Sequence, residues 1–194
     1  TRGTTALYRQ MFLNPTILDQ DAAFDDNGFG EFLQDGTQRL LNHGEALRAA
    51  FNLTGEEFDR IVSALGIDAN TPLDIASISA IYRRGWLARK LLISVQELLL
   101  LSEVTGLDPF APPNPTNPAI LRLATLVSNL KTQGLKSPAA LYLIWNEDLS
   151  GTSAPDKAQV RELARTLRAD FSAIDDQFAV VDDPTGDILR ARMN

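Results

Sequence analysis

Hydrophobic side chains recur every three to four positions along most of this 194-residue chain, which is the period of an amphipathic helix. In residues 4–13 this spacing places Leu7, Tyr8, Met11 and Phe12 on one face. An Asn-Pro pair follows, and the residue before a proline is disfavoured in helical geometry. The pattern therefore predicts a first short helix over 4–13.

A second amphipathic stretch, residues 37–51, carries Leu40, Leu47 and Phe51 on one face and predicts another helix. The segment between the two, residues 19–36, is acidic, contains glycine and has no hydrophobic period. It predicts a surface loop with a turn or two of helix.

Two short helices carry matching start and stop signals. Residues 54–57 and 94–97 both have the form of a capping box, with a hydroxyl residue at the cap and a glutamate three positions later. Each predicted helix ends twelve residues after its cap at a glycine, Gly66 or Gly106, where a left-handed residue is expected. The two units are thus 40 residues apart.

Longer helices are predicted between these short ones. Residues 71–74 and Asn117-Pro118 have start signals, and a third short helix is predicted with Ser137 as its cap and a proline at the next position. Long and short helices alternating at about forty residues are typical of stacked helical pairs. Because no period-2 segment stands out, the expected fold class is all-α and multi-helical, with an irregular, solenoid-like repeat as one form and no significant β-sheet.

The length favours one large or two small domains. We expect a single α-helical domain over 1–194, with a subdivision near the proline-rich residues 108–117 as the alternative. The chain begins with Thr1 and ends inside a helical pattern, so we also expect a fragment of a longer protein.

The last long helix is predicted to begin at Pro155. Its apolar residues are spaced 4, 3, 4, 3 and 4 positions apart, as in a coiled-coil seam. We refer to them as the seam: Val160, Ala164, Leu167, Phe171, Ile174 and Phe178. Asp183-Pro184 then predicts the start of one further helix.

Composition excludes several kinds of chemistry. The chain has no Cys and one His, so thiolate metal sites and cysteine nucleophiles are excluded, and His43 is expected to be an ordinary surface or helix-end residue. Residues 25–30 fail the calcium-loop frame because Phe29 stands where an oxygen ligand is needed. We expect no catalytic, cofactor-binding or metal-binding residues and no cofactor. A net charge of −7 disfavours nucleic acid and anionic membranes as partners.

The best candidate for a protein contact is a basic and aromatic cluster of Tyr82, Arg83, Arg84, Trp86 and Arg89. Arginine and large aromatic residues dominate the binding energy of many interfaces. The alternative is structural, because cations in the last turns of a helix stabilise its dipole and their stems cover apolar surface.

Several segments, in order, resemble one family. LYRQMFLNP, LTGEEFDRIVSALGI, ISAIYRRGWLARKLLISVQELLLLSEVTGLDPF, LKSPAALYLIWNEDLSG, APDKAQVRELARTLRADF and DDPTGDILR together cover almost the whole chain. The set is similar to the helical region of the A component of Tc (ABC-type) insecticidal toxin complexes, which is related to plasmid virulence A proteins. TGLDPF and DDPTGDILR are the most specific parts.

The resemblance implies a non-enzymatic segment of the α-helical shell of a secreted or cell-surface-associated bacterial toxin. In that family the A subunits form a homopentamer whose shell encloses a translocation channel, and the complex also holds B and C components. Other domains of that subunit would contact a host receptor, and this segment would not insert into the membrane. The alternative is a stand-alone helical-repeat module that binds a peptide or protein.

Overall fold

The computed structural model describes residues 7–26, 31–112, 114–149, 156–178, 185–187 and 190–191. Its contacts divide the chain into two compact units, residues 1–153 and 154–194, which we call the first and second unit. The proline-rich residues 108–117 lie inside the first unit.

The expected all-α class is confirmed for the part of the chain that the structure describes. There the backbone forms α-helices, two short 3-10 helices and no strand, with only two isolated antiparallel bridges, Asp26 to Phe32 and Arg39 to Pro72. The α-helices are α1 (Leu7–Phe12), α2 (Pro15–Leu18), α3 (Gly44–Phe51), α4 (Gly55–Ala64), α5 (Ile75–Leu91), α6 (Val95–Thr105), α7 (Ala119–Thr132), α8 (Ser137–Trp145) and α9 (Lys157–Phe178).

Both predicted capping boxes are present. The backbone N–H of Glu57 donates to Thr54 Oγ1 at 3.2 Å, and Thr54 N–H donates to the Glu57 carboxylate at 2.9 Å. The same pair of bonds joins Ser94 and Glu97 at 3.1 and 2.6 Å. Because each box satisfies two N–H groups that have no partner within the helix, α4 and α6 begin at defined residues.

Both predicted glycine stops are also present. Gly66 and Gly106 have φ of +64° and +65°, in the left-handed region. After α4 the N–H groups of Gly66 and Ile67 donate to the carbonyls of Ser63 and Val62, each at 3.0 Å. This is the Schellman arrangement, which satisfies the last carbonyls of the helix.

Some predicted boundaries are wrong. The segment 37–51 is not one helix, since a 3-10 helix at Leu40–His43 precedes α3. Ser137 is not the cap of α8, because Lys136 holds the cap position and Ser137 is the first residue of the helix, buried at 4% exposure. Pro138 is therefore the second residue of the helix, whereas the prediction made it the first.

The predicted loop over 19–36 is irregular where it is described. It contains one 3-10 turn, Ala22–Phe24, and residues 27–30 lie outside the described part. Next to it, residues 38–40 run beside 71–73, with backbone bonds from Leu40 N to Thr71 O at 3.0 Å and from Leu73 N to Gln38 O at 3.1 Å. This bridge attaches the end of the loop to the segment that leads into α5.

Helix α6 lies at the centre of the first unit. It contacts α4, α5 and α8, and Val95, Leu98 and Leu101 are at most 1% exposed. Around it α4 packs on α5, α7 on α8, and α3 on α1, α2 and α5. The short helices α4, α6 and α8 therefore contact one another in succession, which is the neighbour order of stacked helical pairs.

The described part of the second unit is dominated by α9. Asp156 accepts a bond from Ala158 N–H at 2.9 Å at its start, while Pro155, the predicted first residue, lies outside the described residues. Asp183 and Pro184, the predicted start of a last helix, also lie outside them. None of the described helices combines the length and hydropathy that crossing a bilayer requires.

Candidate functional site

The residues of the predicted contact cluster are all carried by α5. Asp74 caps this helix by accepting a bond from Ser77 N–H at 2.7 Å. One side of the helix is buried in the first unit through Ile78, Ile81 and Leu87. The packing of this side leaves the opposite side of α5 available to solvent.

Three of the five predicted residues, Tyr82, Arg84 and Arg89, contact other parts of the first unit. The Tyr82 ring is half-buried and lies 5.4 Å from the Phe51 ring. Arg84 places its guanidinium 4.5 Å from the Phe110 ring centre and donates to Ala80 O at 3.1 Å. Burial lowers the pKa of Arg84, and the charge of the nearby Asp108 opposes that effect.

Arg89 also has an internal contact. Its Nη1 donates to Asn52 O at 3.4 Å, which links the end of α5 to the turn between α3 and α4. A Cβ at Gly85, one turn earlier, would lie 2.7 Å from Leu53 Cδ2. Because Gly85 has no side chain, α5 can approach this turn closely. The Arg89 side chain then bonds to the backbone of the same turn.

Arg83 and Trp86 remain on the solvent side of the helix. Trp86 is 42% exposed, and Lys90 Nζ lies 5.6 Å from its ring centre. Positions 83, 86 and 90 share one face because they are three and four residues apart. We call Arg83, Trp86 and Lys90 the α5 patch; it is narrower than the predicted cluster and adds a lysine to it.

The α5 patch has the chemistry of a protein-contact surface. A tryptophan can bury a large apolar area, and the flanking cations can pair with acidic groups of a partner. The structural alternative applies mainly to Arg84 and Arg89, whose guanidinium groups contact the first unit itself.

The structure also contains an apolar cavity that the sequence pattern did not predict. It has a volume of about 450 Å³ and lies where α1, α3 and α5 meet the acidic segment. We call it the aromatic cavity; its apolar lining comes mainly from Tyr8, Phe12, Phe32, Phe51, Ile78 and Tyr82. The density of aromatic residues in the first 51 positions was the available signal, but no local motif joins them.

His43 is at the end of a 3-10 helix, as expected for a helix-end residue, but it is largely buried rather than on the surface. Its Nδ1 lies 2.6 Å from Asp21 Oδ2 and its Nε2 lies 3.1 Å from Gln38 Oε1. The ring also meets Phe24 edge-on at 5.9 Å. Both ring nitrogens are thus occupied, one by a contact to the acidic segment and the other by a contact to Gln38 just after it.

Within the described ranges, no group of three or more His, Cys, Asp and Glu side chains is placed to hold a metal ion. Comparison of the chain with protein-family models, with curated proteins and with solved structures finds no match.

Proposed function

We propose that this chain is a non-enzymatic structural segment of the α-helical shell of a Tc-type toxin A subunit. The ordered resemblance of its segments, from LYRQMFLNP to DDPTGDILR, is the basis for choosing this family. In this role the segment supports assembly of the homopentamer and helps to enclose the translocation channel.

The observation that carries a scaffold role is how the short helices of the first unit are built. Helices α4 and α6 start at complete capping boxes, end at left-handed glycines, and pack against each other and against α5. Such ends leave few unsatisfied backbone groups, so the helices keep their length and position. A shell needs this rigidity more than it needs reactive side chains.

The proposed partners follow from this role. Other segments and subunits of the parent toxin would contact the α5 patch, whereas the B and C components would be bound indirectly. A host receptor would be contacted through other domains. The proposed location is that of a secreted or cell-surface-associated bacterial toxin.

The test uses the full-length parent protein, measured by light scattering and electron microscopy. We expect a bell-shaped pentamer for the parent, and weaker assembly for Arg83→Glu with Lys90→Glu at unchanged helicity. Arg122→Glu with Lys136→Glu makes the same charge change at other exposed positions of the first unit and should leave assembly intact. A monomeric parent would overturn the proposal.

The second candidate is a stand-alone helical module that binds a peptide or protein. The aromatic cavity favours it, since an apolar cavity that opens between helices can take apolar side chains of a bound peptide. A monomeric parent whose binding of such a peptide is lost in Ile75→Asp, a lining residue that is 44% exposed, but kept in Ile144→Asp, which is 57% exposed outside the cavity, would support this candidate over the shell.

A further inference from the structure

The charged side chains of α9 are arranged against the dipole of their own helix. Residues 157–168 hold four basic side chains and one acidic one, whereas residues 169–178 hold three acidic and none that is basic. The first turn has no acidic residue and the last turn no basic one, although those positions would stabilise a helix. All these charged side chains are exposed. Their order is therefore not explained by the stability of the isolated helix.

Three central residues of the seam are exposed as well. Leu167, Phe171 and Ile174 are 40%, 64% and 49% exposed. Their spacing of four and three residues is that of the core positions in a coiled coil, which are normally covered by a second helix. The seam thus has the pattern of an interface.

The size of the seam residues changes along α9 in step with the charge. The basic half carries Val160, the small Ala164 and Leu167, whereas the acidic half carries Ile174 and the two large residues Phe171 and Phe178. In an antiparallel pair of α9 helices, Ala164 would face Ile174 of the second copy and Leu167 would face Phe171 of the second copy. A parallel pair would instead place alanine on alanine and phenylalanine on phenylalanine, leaving a void in one layer and crowding another.

We propose that two copies of this chain associate through α9 as an antiparallel coiled coil. In the same register Arg161 lies beside Asp175 of the second copy, and two-fold symmetry makes this pair twice. Arg168 and Asp170 each face their own counterpart near the axis, and these like-charge contacts between exposed side chains are screened by solvent.

A second copy is the occupant that the pattern specifies. A partner helix must run in the opposite direction. It must place large seam residues and acidic side chains beside the basic half of α9, and smaller seam residues and basic side chains beside the acidic half. Helix α9 itself presents this order, with Arg168 and Asp170 near the axis as the exceptions. The inference does not rest on the proposed function, because it is drawn only from the charge, size and exposure of the residues of α9.

The test measures the dimer dissociation constant of the 194-residue chain by analytical ultracentrifugation. We expect Arg161→Asp and Asp175→Arg each to weaken the dimer about tenfold, because each reversal affects two exposed ion pairs. The double exchange should restore the dimer. Mixing the two single variants should give a heterodimer that is tighter than either homodimer.

Matched controls come from neighbouring positions off the seam. Arg165→Asp and Asp176→Arg make the same charge changes and should leave the dissociation constant within about twofold of the original. Circular dichroism checks that each variant keeps its helix content. A chain that is monomeric at every concentration overturns the proposal. A dimer that the double exchange fails to restore also overturns it, and indicates a parallel pair or contact with another surface.

Discussion

His43 holds the acidic segment against the core of the first unit. Its ring is bonded on one side to Asp21 and on the other to Gln38, and Asp21 also accepts a bond from Ala23 N–H at 3.2 Å. Composition identified the residue as the one histidine of the chain, but its partners are 22 and 5 positions away. Which side chains it meets depends on how the loop folds back.

Tyr8 gives the first unit a pH-dependent term in its stability. Its hydroxyl donates to Phe24 O at 2.9 Å. Burial, with smaller contributions from the charges of Asp25 and Asp21, raises the pKa of the phenol far above its ordinary value.

The unfolded chain releases the phenol proton near pH 10, whereas the folded chain retains it, so this contribution is complete below about pH 10 and is lost as pH rises further. Urea unfolding of wild type and Tyr8→Phe at pH about 8 and about 11 measures it. We expect the variant to lose less stability between the two pH values, with Tyr142→Phe, at an exposed position, as control. Equal losses in Tyr8→Phe and wild type would contradict this assignment.

Thr54 is a second residue whose role can be measured. Thr54→Ala removes the hydroxyl that caps α4, and we expect the free energy of unfolding to fall by about 1 kcal/mol. Ser63→Ala changes another hydroxyl residue at an exposed position of the same helix and should be neutral or slightly stabilising. Chemical denaturation of the two variants provides the comparison. A loss of the same size at both positions would show that the cap is not its source.

At the scale of elements, local rules predict some of the residues that end the helices and miss others. The glycines after α4 and α6 were predicted, whereas Asn52, Leu92 and Asn146, which end α3, α5 and α8, have φ of 51°, 54° and 57°. Leucine is an unfavourable residue in the left-handed region. The rules for helix ends, which favour glycine or asparagine at such a position, therefore do not predict Leu92 after α5.

Gly106→Ala tests the left-handed stop of α6. No heavy atom lies within 4 Å of the added Cβ, so the cost is conformational and we expect about 1 kcal/mol of destabilisation. Gly36→Ala also adds a Cβ in open space, but φ at Gly36 is not positive, and it should be neutral or slightly stabilising. Thermal unfolding of the two variants gives the comparison; similar midpoints would contradict the role assigned to Gly106.

At the scale of the whole molecule, burial is uneven between the elements. In α6 most of one face is covered, with Leu98 and Leu101 fully buried, whereas the α9 residues Leu167 and Phe171 remain exposed. The seam of α9 and the core face of α6 are both apolar in sequence. Only the folded chain shows that the α6 face is packed inside its own unit, whereas Leu167, Phe171 and Ile174 of the seam are exposed.

Leu101→Ala tests the central position of α6. The side chain is fully buried and its removal leaves a cavity, so we expect the free energy of unfolding to fall by about 2–5 kcal/mol. Leu121→Ala removes the same atoms from a side chain that is 62% exposed on α7 and should cost far less. Urea titration of both variants measures the difference. A small loss at Leu101 would mean that α6 is not central to the first unit.

The candidate contact site was only partly predictable. Spacing along α5 identified Arg83 and Trp86, which are exposed, but it also grouped them with Arg84 and Tyr82, whose contacts lie with Phe110 and Phe51. These two partners are 26 and 31 positions away in the chain, so the separation of patch from core required the packing of α5 against its neighbours. The aromatic cavity was missed for the same reason.

The sequence by itself determined the all-α class, the capped starts of α4 and α6, their glycine stops and the heptad spacing of α9. These depend on the backbone dihedrals and hydrogen bonds of residues within a few positions of one another, so local chemistry specifies them. Tertiary structure alone decided the partners of His43, the division of the α5 cluster and the aromatic cavity. Each of these depends on contacts between side chains that are far apart in the sequence and bury one another in the folded chain. The pattern of residues along the chain does not specify which distant side chains come into contact.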